Sequence, residues 1–337
     1  MFNIYNRRYT GSKYKLMDWI EKNMQENCGG DTFFDVFAGT GVVTEYLLND
    51  YNNFIVNDFL YSNEAIYKGF FLQSEYSQSK IDDITKQYNN IDRKNLSDNY
   101  VSINFGRKYF NNDDAKLIGF IREDLNNKFN NQEINEKEFY ILLSSLLYSL
   151  DRIANTCGHY DAYRKVKEIK SNFKFEQIKP VKLCNKKNIT IYRKDSNKLV
   201  DEVKADIAFI DPPYNSRQYS RFYHILENIT KWEKPELYGT ALKPKEENMS
   251  DYCKTSAPQA FSDLIQRLNS KYIVVTYNNT YNSKSSSSRN KITLEQIKDI
   301  LNEKGETKIF SKPYKFFNAG KTDLKDHKEY LFITKTK

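Results

Sequence analysis

The chain has only four cysteines, Cys28, Cys157, Cys184 and Cys253, and three histidines in 337 residues. No two cysteines form a CxxC pair and there is no His-rich tract, so zinc-ligand spacing is missing and the thiols read as reduced and partly buried. No window approaches the roughly 18 apolar residues that a bilayer span needs, and the charged start at 1–8 is not followed by an apolar stretch. A cytoplasmic protein with no membrane partner is expected. No internal repeat is visible. What the chain does have is Asn, Lys, Tyr, Ile and Ser in abundance, a net charge of +8 and a pI near 8.9. That charge favours an anionic partner, nucleic acid first, but lysine richness also follows from AT-rich codon usage. Position must therefore carry the argument.

Leu16, Trp19, Ile20 and Met24 fall near helical spacing between Gly11 and Gly29-Gly30, predicting a helix over 14–24. Phe33-Phe34-Asp35-Val36-Phe37 predicts a strand, 42–48 a helix and 53–58 a second strand, together a β-α-β unit. A helix at 63–72 precedes a polar, weakly patterned stretch to about residue 135, which contains the aromatic turn 104–110. Leu142, Leu143, Leu146, Leu147 and Leu150 mark a buried helix over 138–153, followed by a loop that becomes basic. Strands are expected again at 189–192, 207–210 and 272–276, with helices at 222–232 and 294–302 and a last strand, 329–334, paired with 307–310. A flexible serine loop is expected at 283–289. The fold class is α/β, with one domain formed by 1–60 and 181–337 and an inserted region at 61–180.

Asp211-Pro212-Pro213-Tyr214 directly follows the apolar run Ile207-Ala208-Phe209-Ile210, where a loop at the carboxyl edge of a parallel sheet belongs. The 33–37 strand runs into Ala38-Gly39-Thr40-Gly41, whose glycines permit close approach of a ligand; the same pattern serves dinucleotide sites and ordinary tight turns. Asp58, ending the next strand, can accept from the ribose hydroxyls of an adenosine moiety or cap a helix. Tyr9-Thr10-Gly11-Ser12-Lys13 can set a glycine backbone and an amine against a cofactor carboxylate, or form a surface turn. Asp195 can accept from an adenine amino group or stand exposed in its loop. The two loops together imply S-adenosylmethionine chemistry.

Chemistry explains each residue of the tetrapeptide. The exocyclic amino group of adenine is a poor nucleophile because its lone pair is conjugated into the ring. The Asp211 carboxylate and the Pro212 carbonyl can accept its two hydrogens, localise the lone pair toward a methyl donor and stabilise the positive charge that develops on nitrogen. Pro212 and Pro213 restrict the turn, and Tyr214 can stack on the base and offer its face to a sulfonium. No metal is required. A base within a duplex must be flipped out to reach such a site. Arg107, Lys108, Arg152, Arg164, Lys165, Arg217 and Arg221 are candidates for the phosphates, although for any one of them taken singly a solvated basic face is the simpler reading.

In this order the motifs resemble those of the adenine-specific DNA methyltransferases of the Dam-like class, and within it the modification enzymes of restriction-modification systems, including the FokI type. The matched motifs span 9–214 but cover few residues, and 61–180 has none that aligns. The resemblance implies a Rossmann-like, S-adenosylmethionine-dependent methyltransferase sheet with a reversed β-hairpin at its carboxyl end. It makes 61–180 an inserted, mainly helical target-recognition domain, double-stranded DNA the substrate, N6-methyladenine the product, and a separate cognate restriction endonuclease a partner. It carries cofactor contacts to Tyr9, Lys13, Asp35, Phe37, Ala38, Gly39, Asp58 and Asp195, beside Gly11 and Gly41 of the turns. Catalysis falls on Asp211, Pro212 and Tyr214, with Pro213 completing the loop. Asn215-Ser216-Arg217-Gln218-Tyr219 is similar to a segment that approaches DNA. Competing readings are an RNA adenine methyltransferase and a non-catalytic DNA-binding module of methyltransferase-like fold. Cytosine-N4 enzymes usually carry Ser in place of Asp211, and a dinucleotide oxidoreductase would leave the tetrapeptide without a role.

Overall fold

A computed structural model describes residues 1–183, 187–280, 289–314 and 326–337. The chain divides into two compact units. One comprises Met1–Ser12, Leu60–Cys184 and Ser220–Glu247, the other Lys13–Phe59, Asn185–Tyr219 and Asn248–Lys337.

The second unit is mixed α/β. Its strands are β1 (Thr32–Asp35), β2 (Asn53–Asn57), β3 (Asn188–Tyr192), β4 (Ala205–Ile210), β5 (Ser270–Asn278), β6 (Gly305–Pro313) and β7 (Lys328–Thr336), in the spatial order β3-β2-β1-β4-β5-β7-β6. The first five are mutually parallel, and β7 runs antiparallel to both β5 and β6. Strands covered on both faces read as continuous apolar runs, and β4 and β5 do so through Ile207-Ala208-Phe209-Ile210 and Ile273-Val274-Val275, all fully buried. The helix Ala257–Arg267 lays Phe261, Leu264 and Ile265 into the same core as Ile210, Val275 and Phe332, each contributing about 1.5–3 kcal/mol through burial. This helix is absent from the elements expected from sequence, and it carries Pro258. At the second helical position, however, a missing N–H costs nothing.

Chain order reverses between β1 and β4, with Phe33, Phe34 and Asp35 in register with Ile207, Ala208 and Phe209. The loops that follow these two strands therefore leave the sheet side by side at its carboxyl edge, the position where open α/β sheets bind ligands. At the opposite edge, Asp206 Oδ2 accepts from the backbone N–H groups of Asp31 (2.8 Å) and Thr32 (3.0 Å), while Oδ1 pairs with Lys271 Nζ at 2.7 Å. Gly30, at φ 148°, leaves room for this carboxylate, since a Cβ there would lie 2.2 Å from Asp206 Cβ.

The first unit is helical: Tyr61–Phe71, Gln78–Asn90, Tyr100–Phe105, Asn112–Asn130, Glu136–Ile153 and His224–Lys231. Its central helix, Glu136–Ile153, starts at an Asn135/Glu138 capping box and is buried almost throughout. It approaches Tyr61–Phe71 so closely that a Cβ on Gly69 would meet Ser144 Oγ at 2.4 Å. The stretch before residue 135, expected to be polar and weakly patterned, holds three helices, each with a buried apolar face. Ile81, Ile84 and Tyr88 make one of them behind the Ser77 cap. This unit also takes in Met1–Ser12 and Ser220–Glu247, beyond the 61–180 boundaries drawn from sequence. Phe2 bridges to Ile178, and Glu227 accepts from the N–H groups of Tyr61 (3.0 Å) and Ser62 (2.8 Å), capping that helix.

Cys28 is half-buried, Cys253 buried and Cys157 exposed, all three free. Cys184 and residues 283–288 of the serine loop lie outside the described residues. Among the described residues no helix is long and apolar enough to cross a membrane, and no cluster of metal-ligating side chains occurs.

The Asp206 carboxyl is held down at about 2, first by the Lys271 hydrogen bond and then by the Asp31 N–H. A depressed folded-state value stabilises above the unfolded value near 3.9 and is lost as pH falls through the folded one. Asp206→Asn is therefore expected to cost about 1 kcal/mol at neutral pH, after allowing for solvent at Lys271, and progressively less as pH falls through about 2. Urea midpoints across that range measure it.

Candidate active site

The β1 turn is built from backbone geometry. Val36 N–H donates to Phe209 O (3.0 Å), Ala38 N–H to Asn57 O (2.9 Å) and Gly41 N–H to Ala38 O (2.7 Å). Gly39 (φ 53°) and Gly41 (φ 76°) occupy the left-handed region that side chains disfavour, and the helix Val42–Tyr46 starts directly after them. Asp58 Oδ2 accepts the Gly39 N–H at 2.9 Å, so the carboxylate proposed for a ribose also holds the turn. The fully buried Asn57 amide donates to Val36 O and Lys194 O (both 3.1 Å), and Lys194 N–H returns a bond to it, locking the ends of β1, β2 and β3 together.

Asp35 is placed differently from an open ligand contact. Its carboxylate is buried under the turn and accepts from Thr44 Oγ1 at 2.8 Å, and burial raises it to about 7. Asp195 Oδ1 caps the short helix Ser196–Leu199, accepting from the N–H groups of Asn197 (2.9 Å) and Lys198 (3.3 Å). Phe37 stands half-exposed, edge-on to Tyr252 at 4.9 Å.

The β4 loop converges on Asp211. Its Oδ1 accepts from Tyr214 Oη at 2.5 Å and from Thr276 Oγ1 at 2.8 Å, while Oδ2 lies 2.8 Å from Lys13 Nζ. Lys13 is only 5% exposed and Asp211 18%. Lys13 was expected to face a cofactor carboxylate; the carboxylate it meets here is the protein's own, since a buried ammonium requires an anion. Burial works against the ammonium, but Asp211 and Glu329 together raise its pKa. Its Nζ sits 5.0 Å from the Tyr214 ring centroid, so in this arrangement the cation on that ring is Lys13. Tyr214 packs on Tyr277 at 4.4 Å, and its carbonyl accepts from Lys291 N–H at 2.7 Å. Burial and the nearby Asp211 raise the Tyr214 phenol far above its ordinary value, keeping it a donor. Downstream, the side chain of Gln218 exchanges two bonds with the Ser250 backbone, and Cys253 Sγ donates to Arg217 O, leaving Arg217 exposed.

Tyr9 and Gly11 belong to the helical unit. Tyr9 stacks on Tyr223 at 4.8 Å with planes 7° apart, the Arg7 guanidinium lies over both rings, and Thr10 N–H donates to Tyr223 Oη. Four of the basic candidates are brought together in that unit. Asn155 Nδ2 donates both to Lys108 O (2.9 Å) and to Arg164 O (2.8 Å), tying the turn that carries Arg107 and Lys108 to the segment that carries Arg164 and Lys165. Arg107, Arg164 and Lys165 are exposed, and Lys108 is half-buried. The other two have intramolecular partners. Arg152 pairs with Glu176 at 2.8 Å over the Phe2 ring, and Arg221 donates to Pro244 O. Sequence reading missed Thr276, Tyr277, Glu329 and Asn57 as site residues. They sit on strands it had located, but their facing depends on pairing register.

A glycine turn and an Asp-Pro-Pro-Tyr loop on adjacent strand ends of a seven-stranded α/β sheet define the class as consistent with methyltransferases. The chain belongs to the D12 class N6 adenine-specific DNA methyltransferases, whose family model matches residues 9–292. It is 34% identical over 346 residues to the type II methyltransferase M.FokI of Planomicrobium okeanokoites, covering 96% of this chain and 52% of that protein. It is 32% identical over 290 residues to the modification methylase LlaI of Lactococcus lactis subsp. lactis, covering 81% and 46%. With the type II methyltransferase M.NlaIII of Neisseria lactamica it shares 29% over 345 residues, covering 96% and 98%. The chain thus spans about half the length of the first two and nearly all of the third.

Asp58→Ala removes the acceptor for the Gly39 N–H and should lower the unfolding free energy by about 1–2 kcal/mol, whereas Asp58→Asn, which keeps a carbonyl oxygen, should cost less. Urea melts at constant m-value distinguish the two.

Proposed function

We propose that the protein is a site-specific DNA adenine-N6 methyltransferase that transfers a methyl group from S-adenosylmethionine to a flipped adenine in double-stranded DNA. In this reading it is the modification component of a cytoplasmic restriction-modification system, with a separate cognate endonuclease as partner. The observation that carries the reading is the setting of Asp211 at the β4 end, beside the β1 glycine turn. Three of about four lone-pair directions of its carboxylate are occupied by Tyr214, Thr276 and Lys13, which leaves one for an amino hydrogen.

The Lys13–Phe59, Asn185–Tyr219 and Asn248–Lys337 unit is, on this view, a Rossmann-like methyltransferase sheet. The cofactor supplies an electrophilic methyl group on a sulfonium. Gly39 and Gly41, in the left-handed region, would let the ligand approach the turn's backbone beside Ala38 and Phe37, and Asp58 and Asp195 would offer acceptors to the adenosine part. Asp35 acts beneath the turn as its brace; the family resemblance assigns further cofactor contacts to Tyr9 and Gly11. Asp211 and the Pro212 carbonyl draw on the two amino hydrogens of the target adenine, so its nitrogen lone pair turns toward the methyl group. With the donor bound, nitrogen would take the methyl carbon as the sulfur–carbon bond broke, and Asp211 and the Pro212 carbonyl would draw off the amino proton. Pro213 keeps the loop rigid, and Tyr214 borders the flipped base once Lys13 gives way on one ring face.

The helical unit, with residues 61–180 at its centre, serves as the inserted target-recognition domain. Arg107, Lys108, Arg164 and Lys165 on the loop pair tied by Asn155 provide phosphate contacts, as Arg217 does beyond the catalytic loop. Arg152 and Arg221, already engaged with Glu176 and Pro244, contribute less.

Tritiated methyl transfer to unmethylated DNA, read by nucleoside chromatography, should place label in N6-methyladenine at one short motif. Asp211→Ala should abolish transfer while retaining cofactor binding. Label in RNA alone, or cofactor binding without any transfer, would sink the reading. Arg107→Ala and Arg164→Ala should each weaken DNA binding across sequences and flatten the plot of log K against log salt by about one unit of slope.

A further inference from the structure

Glu329 is a buried carboxylate for which the chemistry above has no use. It lies on β7 in register with Asn278 of β5, and antiparallel partners project to the same face. Thr276, two residues before Asn278 on the same strand, shares that face and donates to Asp211 at 2.8 Å. Glu329 is 6% exposed. Its Oε1 accepts one long bond from Asn278 Nδ2 at 3.5 Å, and its Oε2 has no hydrogen-bond partner among the described residues. A carboxylate this poorly solvated is costly unless a cation compensates it. The cation that acts on it is Lys13, the ammonium that also pairs with Asp211.

We propose, resting on the methyl-transfer reading, that Glu329 is a positioning residue that shares the Lys13 ammonium with Asp211 and so sets how strongly Asp211 accepts the substrate amino hydrogen. When Glu329 is neutral, the full Lys13 charge bears on Asp211 and weakens it as an acceptor. When Glu329 is ionised, the ammonium is drawn between two carboxylates and Asp211 recovers its acceptor strength. Burial first, then repulsion from Asp211, lifts the Glu329 carboxyl to about 7, against the pull of Lys13 and the Asn278 bond. The other described titratable groups around it are Tyr214, whose phenol it pushes up, Tyr314 beyond β6, and Lys312, in register with it on β6. The switch therefore falls where a working enzyme would feel it.

The test is the pH profile of kcat for the wild-type protein and Glu329→Gln, with unmethylated DNA and S-adenosylmethionine both saturating. Wild type should rise several-fold through neutral pH. The Gln variant should be flat at or below the low-pH rate, with KM for both substrates unchanged. A Gln variant that follows the wild-type profile overturns the proposal. Glu329→Asp, which retains a carboxylate, should restore a pH-dependent profile at reduced kcat, and it replaces the Gln variant should that one not fold. Carboxyl carbon NMR provides a readout independent of turnover. Asp211→Asn should lower the Glu329 titration midpoint and Lys13→Met should raise it; midpoints that ignore both changes also overturn the proposal. Wild-type protein that methylates no DNA would instead reject the functional reading, leaving the NMR couplings to decide the electrostatic one.

Discussion

An ammonium as deeply buried as that of Lys13 is tolerable only beside an anion, and the Lys13–Asp211 pair is the interaction around which the sheet edge is organised. It joins the start of the sheet unit to the loop after β4. That requires β4 to lie directly beside β1, which the register of Phe33, Phe34 and Asp35 against Ile207, Ala208 and Phe209 provides. Breaking such a pair from one side strands a buried charge, so neither residue can change alone without cost. Thr276 and Tyr214 complete the clamp, and the carboxylate is held in one orientation before any ligand arrives. In the proposed methyl transfer, pre-organisation of this kind would make electrostatic stabilisation effective, because no reorientation is needed as charge develops.

The glycine turn obeys a different constraint. Its conformation is set by backbone groups, with the Gly39 N–H anchored by Asp58 and the strand ends cross-linked by Asn57. Acidic groups at this edge divide according to environment. Asp35 is buried and close to neutrality, Asp195 is engaged as a helix cap, and Asp58 is tied to the turn. Three aspartates that look alike in a motif thus have three physical situations. The helical unit rests on helix packing instead, with the close approach at Gly69 and the Glu227 cap fixing the helix that opens it.

Much of the sheet was legible beforehand because its strands are short apolar runs bounded by turn residues. The strands at 33–37, 53–58, 189–192, 207–210, 272–276 and 329–334 all correspond to observed ones within a few residues, as does the pairing of the last with 307–310. The helices at 78–90 and 112–130 were illegible for a compositional reason. In 78–90 only Ile81, Ile84 and Tyr88 are buried among polar residues, and in 112–130 the buried apolar face of Leu117, Ile118, Ile121 and Leu125 is interrupted by buried Asp114 and Arg122. The helix Ala257–Arg267 was not among the expected elements; its proline sits in the first turn, which accommodates it. Candidate residues that lie within a contiguous motif could be named from sequence, whereas Thr276 and Glu329, which the structure sets around Asp211, could not, since a lone Thr or Glu on a strand has no local signature.

The sequence by itself determined which loops are the candidates for the chemistry. Glycines that must adopt φ above zero and prolines that stiffen a turn after a buried strand are local requirements, readable from the residues alone. Only the tertiary structure decided what those loops face. Strand order brought Asp211 to the β1 turn, pairing register turned Thr276 and Glu329 toward it, and burial gave Lys13 two carboxylates to serve. These are non-local facts, because a side chain's electrostatic partners depend on which strands pair and in what register, and no stretch of neighbouring residues encodes that.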